Sequence, residues 1–316
     1  MPLISVIVAC RNEEKDIGDC IKSLVNQTLP SSYYEIIFVD GMSRDATPQI
    51  IKKYARNLKN IKLFFENPPI SPANARNIGV KKSRGKYIVF VDADNVATKD
   101  YLLRIIECFK KYKAECISTK TLPITRSLFG TLMYYERLAS DYIALKRGLS
   151  FFPNAFKKRT FLRLGGFDSN LGYGEDLDLY HKLTKLGIRI VYCPQATIYH
   201  KEPSSLKEIY KEGVWWGKTL PLLIKKYPYQ ILRLIAIISR ALLLLWIFLI
   251  FVPSFRIFGI ILTSLTFLEL TRYIYRAVKG GGELKIAILL PLYKIIKALF
   301  ILVGIFIGVY KRGRKK

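Results

Sequence analysis

Histidine, cysteine and acidic residues are all scarce in this chain. It has 2 His, 5 Cys and 24 Asp or Glu against 51 Lys or Arg in 316 residues, a formal charge of +27. Each shortage excludes something. The cysteines (Cys10, Cys20, Cys108, Cys116, Cys193) are odd in number and scattered, without a C-x-x-C pair. No zinc-finger spacing results, and the five read as reduced structural thiols. The basic excess lacks an aromatic RNA-binding signature and basic-region heptads, so nucleic acid is not the expected partner. No G-x-G-x-x-G follows a strand, which counts against a dinucleotide-dependent oxidoreductase. No basic stretch and cleavage site precede the first strand-like run at Leu3, so no signal peptide is expected. Internal repeats and low-complexity tracts are missing too.

What is present is unevenly spread. Hydrophobic residues make up 51% of the chain, and the excess collects in residues 230–316. Residues 1–229 read as a mixed globular domain, so the expected boundary lies near Tyr229. The second region holds fourteen Lys or Arg against two acids, Glu269 and Glu283. Basic residues flanking apolar helices suit the inner face of a membrane.

The first 120 residues alternate two periodicities. Residues 3–10 (LISVIVAC), 34–39, 61–65, 87–91 and 115–119 are short apolar runs of the buried-strand type. Between them residues 13–26, the stretch to Asn57, residues 73–83 and residues 99–112 have helical spacing. Further on, helices are expected at 128–147 and 175–186, and short strands at 188–193 and 196–199. A β-α-β order implies an α/β fold, a mostly parallel sheet with helices on both faces. Ligands bind such sheets beyond the carboxyl ends of the strands, which is where Asp40 and the pair Asp92 and Asp94 fall.

Residues 87–94 (YIVFVDAD) carry the strongest signal. An apolar strand delivers two carboxylates, one residue apart, into a loop. Mg2+ and Mn2+ favour carboxylate oxygens and keep positions open for phosphate and water. Asp92 and Asp94 are therefore the candidate metal ligands for a diphosphate, with Asp92 also facing the nucleotide side. The loops 8–13 (VACRNE) and 39–45 (VDGMSRD) should meet on adjacent strands. Ala9, Arg11, Glu13 and Asp40 become candidate nucleotide-binding residues: Asp40 would accept from a base imide or else cap a helix, and Asp45 reads as a cap. Arg76, in SPANARNIG, projects from a helix start and suits a phosphate; a surface ion pair is its other reading.

Residues 165–178 (GGFDSNLGYGEDLD) place Glu175, Asp176 and Asp178 at a helix start, where acids are stabilising in any case. Displacement at an anomeric carbon also needs a base for the acceptor hydroxyl. Asp176 is the candidate base, Glu175 an acceptor-side residue, and Asp178 a residue that caps or pairs locally. His200 is read as a third metal ligand, a pyrophosphate contact or a plain surface residue; His181 is structural. Trp215 and Trp216 suit an interfacial helix, and Trp215 is also a candidate for stacking on an acceptor sugar.

Together, VIVACRNEE, FVDGMSRDAT, PANARNIG, VDADN, PNAFKKRTFLRLGGFD and GEDLDL resemble the family 2 glycosyltransferases with the GT-A fold, over residues 3–200. The resemblance implies inverting, metal-dependent transfer from a UDP- or GDP-type sugar. It places Arg11, Glu13 and Asp40 at the nucleotide, Asp92 and Asp94 as the D-x-D, and Asp176 as base. Two departures refine it. Processive synthases often carry Q-x-x-R-W before their membrane helices; residues 212–218 here read EGVWWGK. Polyprenyl-phosphate sugar synthases typically lack the GGFD and GEDLDL pairing. The expectation is transfer of a single sugar to a glycan or lipid-linked acceptor. A polyprenyl-phosphate sugar synthase is the alternative, and a non-catalytic nucleotide-binding membrane protein the remote one.

A helix needs about 20 apolar residues to cross the bilayer core. Residues 241–255, 257–268 and 298–310 are uncharged, and each falls short alone. Hydrophobic segments are expected near 232–252, 256–276 and 286–310, with Arg240, Arg256, Arg272 or Lys297 reaching toward headgroups. A cytosolic catalytic domain and a cytosolic KRGRKK tail require an even number of crossings, so two crossings plus one interfacial segment are expected.

Overall fold

The computed structural model describes residues 1–125, 127–146, 153–172 and 174–313. In chain order the elements are β1 (Ile4–Cys10), α1 (Ile17–Val25), β2 (Tyr34–Asp40), α2 (Thr47–Asn57), β3 (Ile61–Phe65), α3 (Pro72–Lys82), β4 (Tyr87–Asp92), β5 (Asn95–Ala97), α4 (Tyr101–Tyr112), β6 (Cys116–Ile124), α5 (Leu128–Lys146), β7 (Ala155–Lys157), α6 (Lys158–Arg163), α7 (Glu175–Lys185) and β8 (Ile190–Lys201). The helices α8 (Leu206–Lys226), α9 (Ile231–Ala241), α10 (Leu243–Leu249), α11 (Arg256–Lys279), α12 (Leu284–Ala287) and α13 (Leu290–Gly313) follow.

The chain forms two compact units. The first comprises Met1–Ile124 and Leu149–Lys201; the second comprises Thr125–Gly148 and Glu202–Lys316. The boundary expected near Tyr229 falls within the second of these units. Helices α5 and α8 are too mild in composition to be grouped with the apolar tail, yet their apolar faces are what cover it.

The first unit is an eight-stranded sheet of order β3-β2-β1-β4-β7-β6-β8-β5. Strands β3, β2, β1 and β4 are parallel neighbours, as the alternating pattern requires. Beyond β4 the sheet is mixed: β7 runs antiparallel to β4 and β6, and β5 antiparallel to β8. β5 (NVA) and β7 (AFK) have three residues each, too short to show a period. Side-chain alternation divides the core. Val6 and Val8 pack with Ile17, Ile21 and Ile105 on one face, while Ile7 packs with Ala73, Val80 and Phe161 on the other. Each face buries a helix layer, the stable solution for a sheet apolar on both sides.

The cysteine expectation is also corrected. Cys108 on α4 and Cys193 on β8 are joined in a disulfide. Cys10, Cys20 and Cys116 are buried free thiols.

In the second unit, Pro253–Lys279 and Leu284–Tyr310 are long and apolar enough to cross a membrane. A third span results only if the pair Pro228–Ala241 and Leu243–Leu249, bent by 65°, counts as one. Two crossings and one irregular segment were the expectation, and Arg240 keeps its charge off the apolar surface by pairing with Glu269.

Candidate active site

The loops after β1 and β2 are stitched together. Asn12 and Glu13 donate their N–H groups to Ser43 Oγ (2.8 Å) and Thr47 Oγ1 (2.8 Å). Glu14 N donates to Asp45 Oδ2 at 3.1 Å. In return Arg44 N donates to Asn12 Oδ1 at 2.9 Å and Ala46 N to Glu14 Oε2 at 3.1 Å. Asp45 also accepts from the N–H and hydroxyl of Thr47, two residues on, in an Asx-type turn ahead of α2, whose N-cap is Ala46. The lashing residues Asn12, Ser43 and Thr47 were not singled out in the sequence. Their signal is short polar side chains in both loops, which tie backbone to backbone.

Asp40, read as a nucleotide contact or a helix cap, holds the turn after β2. It is fully buried; its Oδ1 accepts from Ser43 N at 2.8 Å and its Oδ2 from Ser43 Oγ at 2.5 Å. Both carboxylate oxygens are engaged in shaping the β2 turn. Arg11 is exposed, its stem beside Gly41. Ala9 lies in register with Asp92 across β1 and β4.

The centre of the site is Arg76. Its Nη2 donates to Asp92 Oδ1 at 2.8 Å and its Nη1 to Glu175 Oε1 at 2.7 Å. The guanidinium also lies over the Phe167 ring, 5.7 Å from its centroid. One side chain therefore ties the D-x-D strand end to the start of α7, 99 residues away from it in the chain. Neither sequence reading of Arg76, phosphate contact or surface ion pair, foresaw this double pairing. Asp176 follows Glu175, its Oδ1 accepting from Leu177 N at 2.7 Å. Asp178 is buried, 3.0 Å from Lys182 Nζ one turn on, the local pairing expected of it.

The approach of α7 depends on a second joint. Asn77 on α3 donates to Phe167 O at 2.8 Å and accepts from Phe167 N at 3.0 Å. Ser71 Oγ donates to Ser169 O at 2.9 Å. Gly166 has φ +70°, and a Cβ there would lie 2.7 Å from Asn77 Oδ1. The GGFD loop thus needs glycine both for its conformation and for the closeness of α3. Asn77 and Gly166 lie inside motifs noticed in the sequence, but without a partner in view the asparagine carried no assignment.

His200 faces Asp94. β5 pairs with β8 so that Asn95 sits opposite His200. The His200 Nδ1 lies 2.8 Å from Asn95 Oδ1 and 3.4 Å from Asp94 Oδ1. Trp215 lies on α8 in the second unit, partly exposed.

The electrostatics follow from the crowding of carboxylates. Burial, helped by Asp94, Asp16, Asp45 and Asp92, pushes Glu13 up to about 7. Burial and then the Glu175 charge push Asp176 up to about 7, against the pull of the Leu177 N–H and Arg76. Desolvation also opposes ionisation of Asp92, yet Arg76 and, next, His200 outweigh it and hold its carboxyl below the usual range. Asp94 Oδ1 is buried and accepts no hydrogen bond. A carboxylate oxygen without a hydrogen bond, among neighbouring carboxylates, fits a small hard cation. Among the described residues no three His, Cys, Asp or Glu side chains are grouped to hold a metal by themselves. Asp92 and Asp94 would supply two oxygens, which is the donor set for an ion that also takes phosphate and water.

A profile for glycosyl transferase family 2 matches residues 5–162, and one for glycosyl transferase family group 2 matches residues 87–308. The chain belongs to glycosyltransferase family 2. A Methanococcus voltae relative, dolichyl N-acetyl-alpha-D-glucosaminyl phosphate 3-beta-D-2,3-diacetamido-2,3-dideoxy-beta-D-glucuronosyltransferase, is 28% identical over 256 residues, covering 74% of this chain and 78% of its own. Two solved structures share the fold. The mannosyltransferase PcManGT of Pyrobaculum calidifontis, in complex with GDP-Man and Mn2+, has TM-score 0.59 and 18% identity over 98% of this chain and 88% of that one. The S. aureus TarS fragment 1–349, in complex with UDP-GlcNAc, has TM-score 0.52 and 18% identity over 99% and 92%. The family 2 assignment agrees with a sheet that gathers the D-x-D and the α7 acids at its strand ends.

Proposed function

We propose that this family 2 enzyme transfers a single sugar, with inversion, from a UDP- or GDP-type nucleotide sugar to a glycan or lipid-linked acceptor at a membrane. The observation that carries this reading is the Arg76 bridge, which brings Asp92 within one side chain of the Glu175 and Asp176 pair. Donor diphosphate and acceptor hydroxyl would meet across it.

Asp92 and Asp94 would hold Mg2+ or Mn2+, which when bound neutralises charge on the departing diphosphate. His200, beside Asp94, is positioned to join that group. Asp176 accepts the acceptor proton as the hydroxyl oxygen attacks the anomeric carbon from the face opposite the leaving group. The carbon–oxygen bond to the diphosphate breaks as the new glycosidic bond forms, and the configuration inverts. A carboxyl raised to about 7 is a stronger base than an ordinary aspartate, which suits that step. Glu175, fixed by Arg76, orients the acceptor side. Arg11 and Glu13 line the nucleotide side.

Two observations support the lipid-linked acceptor and the membrane setting. The M. voltae relative is named for a dolichyl-linked acceptor, and the second unit is rich in exposed apolar residues. Nucleotide sugars are made in the cytosol, so the first unit is placed on the cytosolic side.

The test is donor turnover in detergent. Purified protein is given UDP-, GDP- and dTDP-sugars with Mn2+, Mg2+ or EDTA, with and without lipid-linked glycan. The expected result is acceptor-stimulated release of one nucleotide, lost in EDTA, with an acid-stable glycosidic product. A mild-acid-labile sugar phosphate lipid would instead identify a polyprenyl-phosphate sugar synthase. Absence of both turnover and nucleotide binding would sink the reading.

A further inference from the structure

The chain holds two histidines, and one of them, His200, stands beside Asp94. A neutral imidazole carries its proton on one ring nitrogen and a lone pair on the other. Only the lone-pair nitrogen can hold a cation. What the protonated nitrogen touches therefore decides which side of the ring is useful.

The residue that touches it is Asn95. Ala93 and Asp94 alone separate β4 from β5, so Asn95 opens β5 directly after the two acids. It sits opposite His200 in the antiparallel pairing with β8, followed by Val96 opposite Tyr199 and Ala97 opposite Ile198. This short strand is held from both sides. Ala97 N donates to Ser23 Oγ of α1 at 3.0 Å. Thr98 donates to Thr197 O through its N–H at 3.2 Å and its hydroxyl at 3.0 Å. Asn95 itself is 8% exposed, so its amide is set by the protein and not by water.

Two oxygens approach His200 Nδ1: Asn95 Oδ1 at 2.8 Å and Asp94 Oδ1 at 3.4 Å. A lone pair on Nδ1 would face a carboxylate oxygen at close range, whereas a proton there faces two acceptors. The proton therefore belongs on Nδ1, and Nε2 carries the lone pair. Asn95 takes the N–H, and Asp94 Oδ1 accepts no hydrogen bond. A carboxylate is the stronger acceptor of the two, so it is the placement of the amide that gives it the proton. Without Asn95 the same N–H would turn to Asp94 and occupy a candidate ligand oxygen.

We propose that Asn95 is a positioning residue for His200. It fixes the imidazole as the Nδ1–H tautomer, leaves Nε2 as the ligand nitrogen, and keeps the N–H off Asp94. The asparagine of VDADN thereby extends the D-x-D. The two acids supply charge, and the next residue prepares the neutral ligand. The inference rests on the reading of Asp92, Asp94 and His200 as a metal-holding group, and it names the residue through which His200 enters that group.

Two measurements on the full chain in detergent test it, and neither needs donor, acceptor or turnover. The first is the nitrogen-15 spectrum of histidine-labelled protein without metal, at about pH 8.5, above the ordinary titration of imidazole. Two rings contribute, and His181→Gln assigns them. The expected result is Nδ1–H for His200, kept in Asn95→Asp, which retains an acceptor oxygen. Nε2–H in the parent overturns the proposal. The second is Mn2+ binding without donor, read from the electron paramagnetic resonance of the free ion. Asn95→Ala should weaken binding about 10-fold or more, as removal of a group that orients a metal ligand does. In a His200→Ala background the same change should cost less than about twofold, because Asn95 acts through His200. An equal loss in both backgrounds would make Asn95 a direct ligand or a folding residue, and no loss in the parent background would leave His200 with nothing to be oriented for; either overturns the proposal. Absence of Mn2+ binding by the parent overturns the metal reading itself and the ligand role of Nε2 with it, whereas the tautomer is decided by the spectrum alone.

Discussion

The two units handle buried charge in opposite ways. In the helical unit every such group described has a partner of opposite sign. Glu136 meets Lys294 and Lys297, Lys297 also meets Glu212, Arg240 meets Glu269, and Arg137 meets Glu202. The signs balance, as apolar surroundings demand. At the strand ends of the sheet unit they do not. Glu13, Asp92, Asp94, Glu175 and Asp176 gather around Arg76 and His200. The surplus is negative and is expressed as raised carboxyls and an orphaned Asp94 oxygen. A balanced network supports a fold; an unbalanced one leaves charge for a ligand to neutralise. The difference separates scaffold from site.

The comparison breaks most sharply at Asp176. Asp176→Asn should lower kcat about 10³-fold, within the range for removal of a general base, while donor KM stays within about twofold. Lost donor binding would move Asp176 to the nucleotide side. The sign of the pH dependence is set by the raised carboxyl. The base acts when ionised, so kcat should rise with pH through about 7 and flatten above it. A profile flat from pH 5 to 8 would remove Asp176 from that role.

Glu136→Gln probes the balanced side. Two lysines, 7% and 14% exposed, would keep their charge without the carboxylate. Breaking a buried pair from one side costs about 3 kcal/mol or more, read as a lower denaturant midpoint in detergent. Turnover per folded molecule should not change. Arg76→Lys probes the hinge between the two kinds of network. A point charge cannot hold Asp92 and Glu175 in a fork. About 2 kcal/mol of stability should go, together with a larger loss of kcat than of melting temperature would explain. An unchanged kcat would make the bridge scaffold only.

Much of this is legible in the amino-acid sequence alone. The parallel half of the sheet follows from buried apolar runs separated by helical spacing, and Asp92 and Asp94 follow from a strand that ends in two acids. Joints between distant segments are not legible there. The Asn77 contact with Phe167, the Arg76 bridge and the Cys108–Cys193 disulfide link residues 85 to 99 positions apart, and no local period reports them. An acid at a strand end, such as Asp40, suits both a ligand and a turn, and the local pattern does not distinguish the two. The extent of the second unit is hidden for a similar reason: α5 and α8 are ordinary amphipathic helices until the apolar helices they cover are seen.

The smallest effect belongs to Glu115, a paired carboxylate in the sheet unit. Its carboxylate pairs with Lys157 Nζ at 2.6 Å and Arg159 Nη2 at 3.3 Å and accepts from the Thr160 hydroxyl. Burial works against its charge, but Lys157 and Thr160 and then Arg159 outweigh it and hold it down to about 2. A depressed carboxyl stabilises the fold above its unfolded value, near 4.5, and that stability is lost as pH falls toward 2. The side chain is 30% exposed, so solvent screening cuts the contribution to about 1 kcal/mol. Glu115→Gln should therefore lower stability by about that amount at pH 7 and by less at pH 3, where the parent has already lost part of it. A constant difference between the two at both pH values would show that the side chain contributes through packing and the Thr160 contact, and that charge balance matters only where water is excluded.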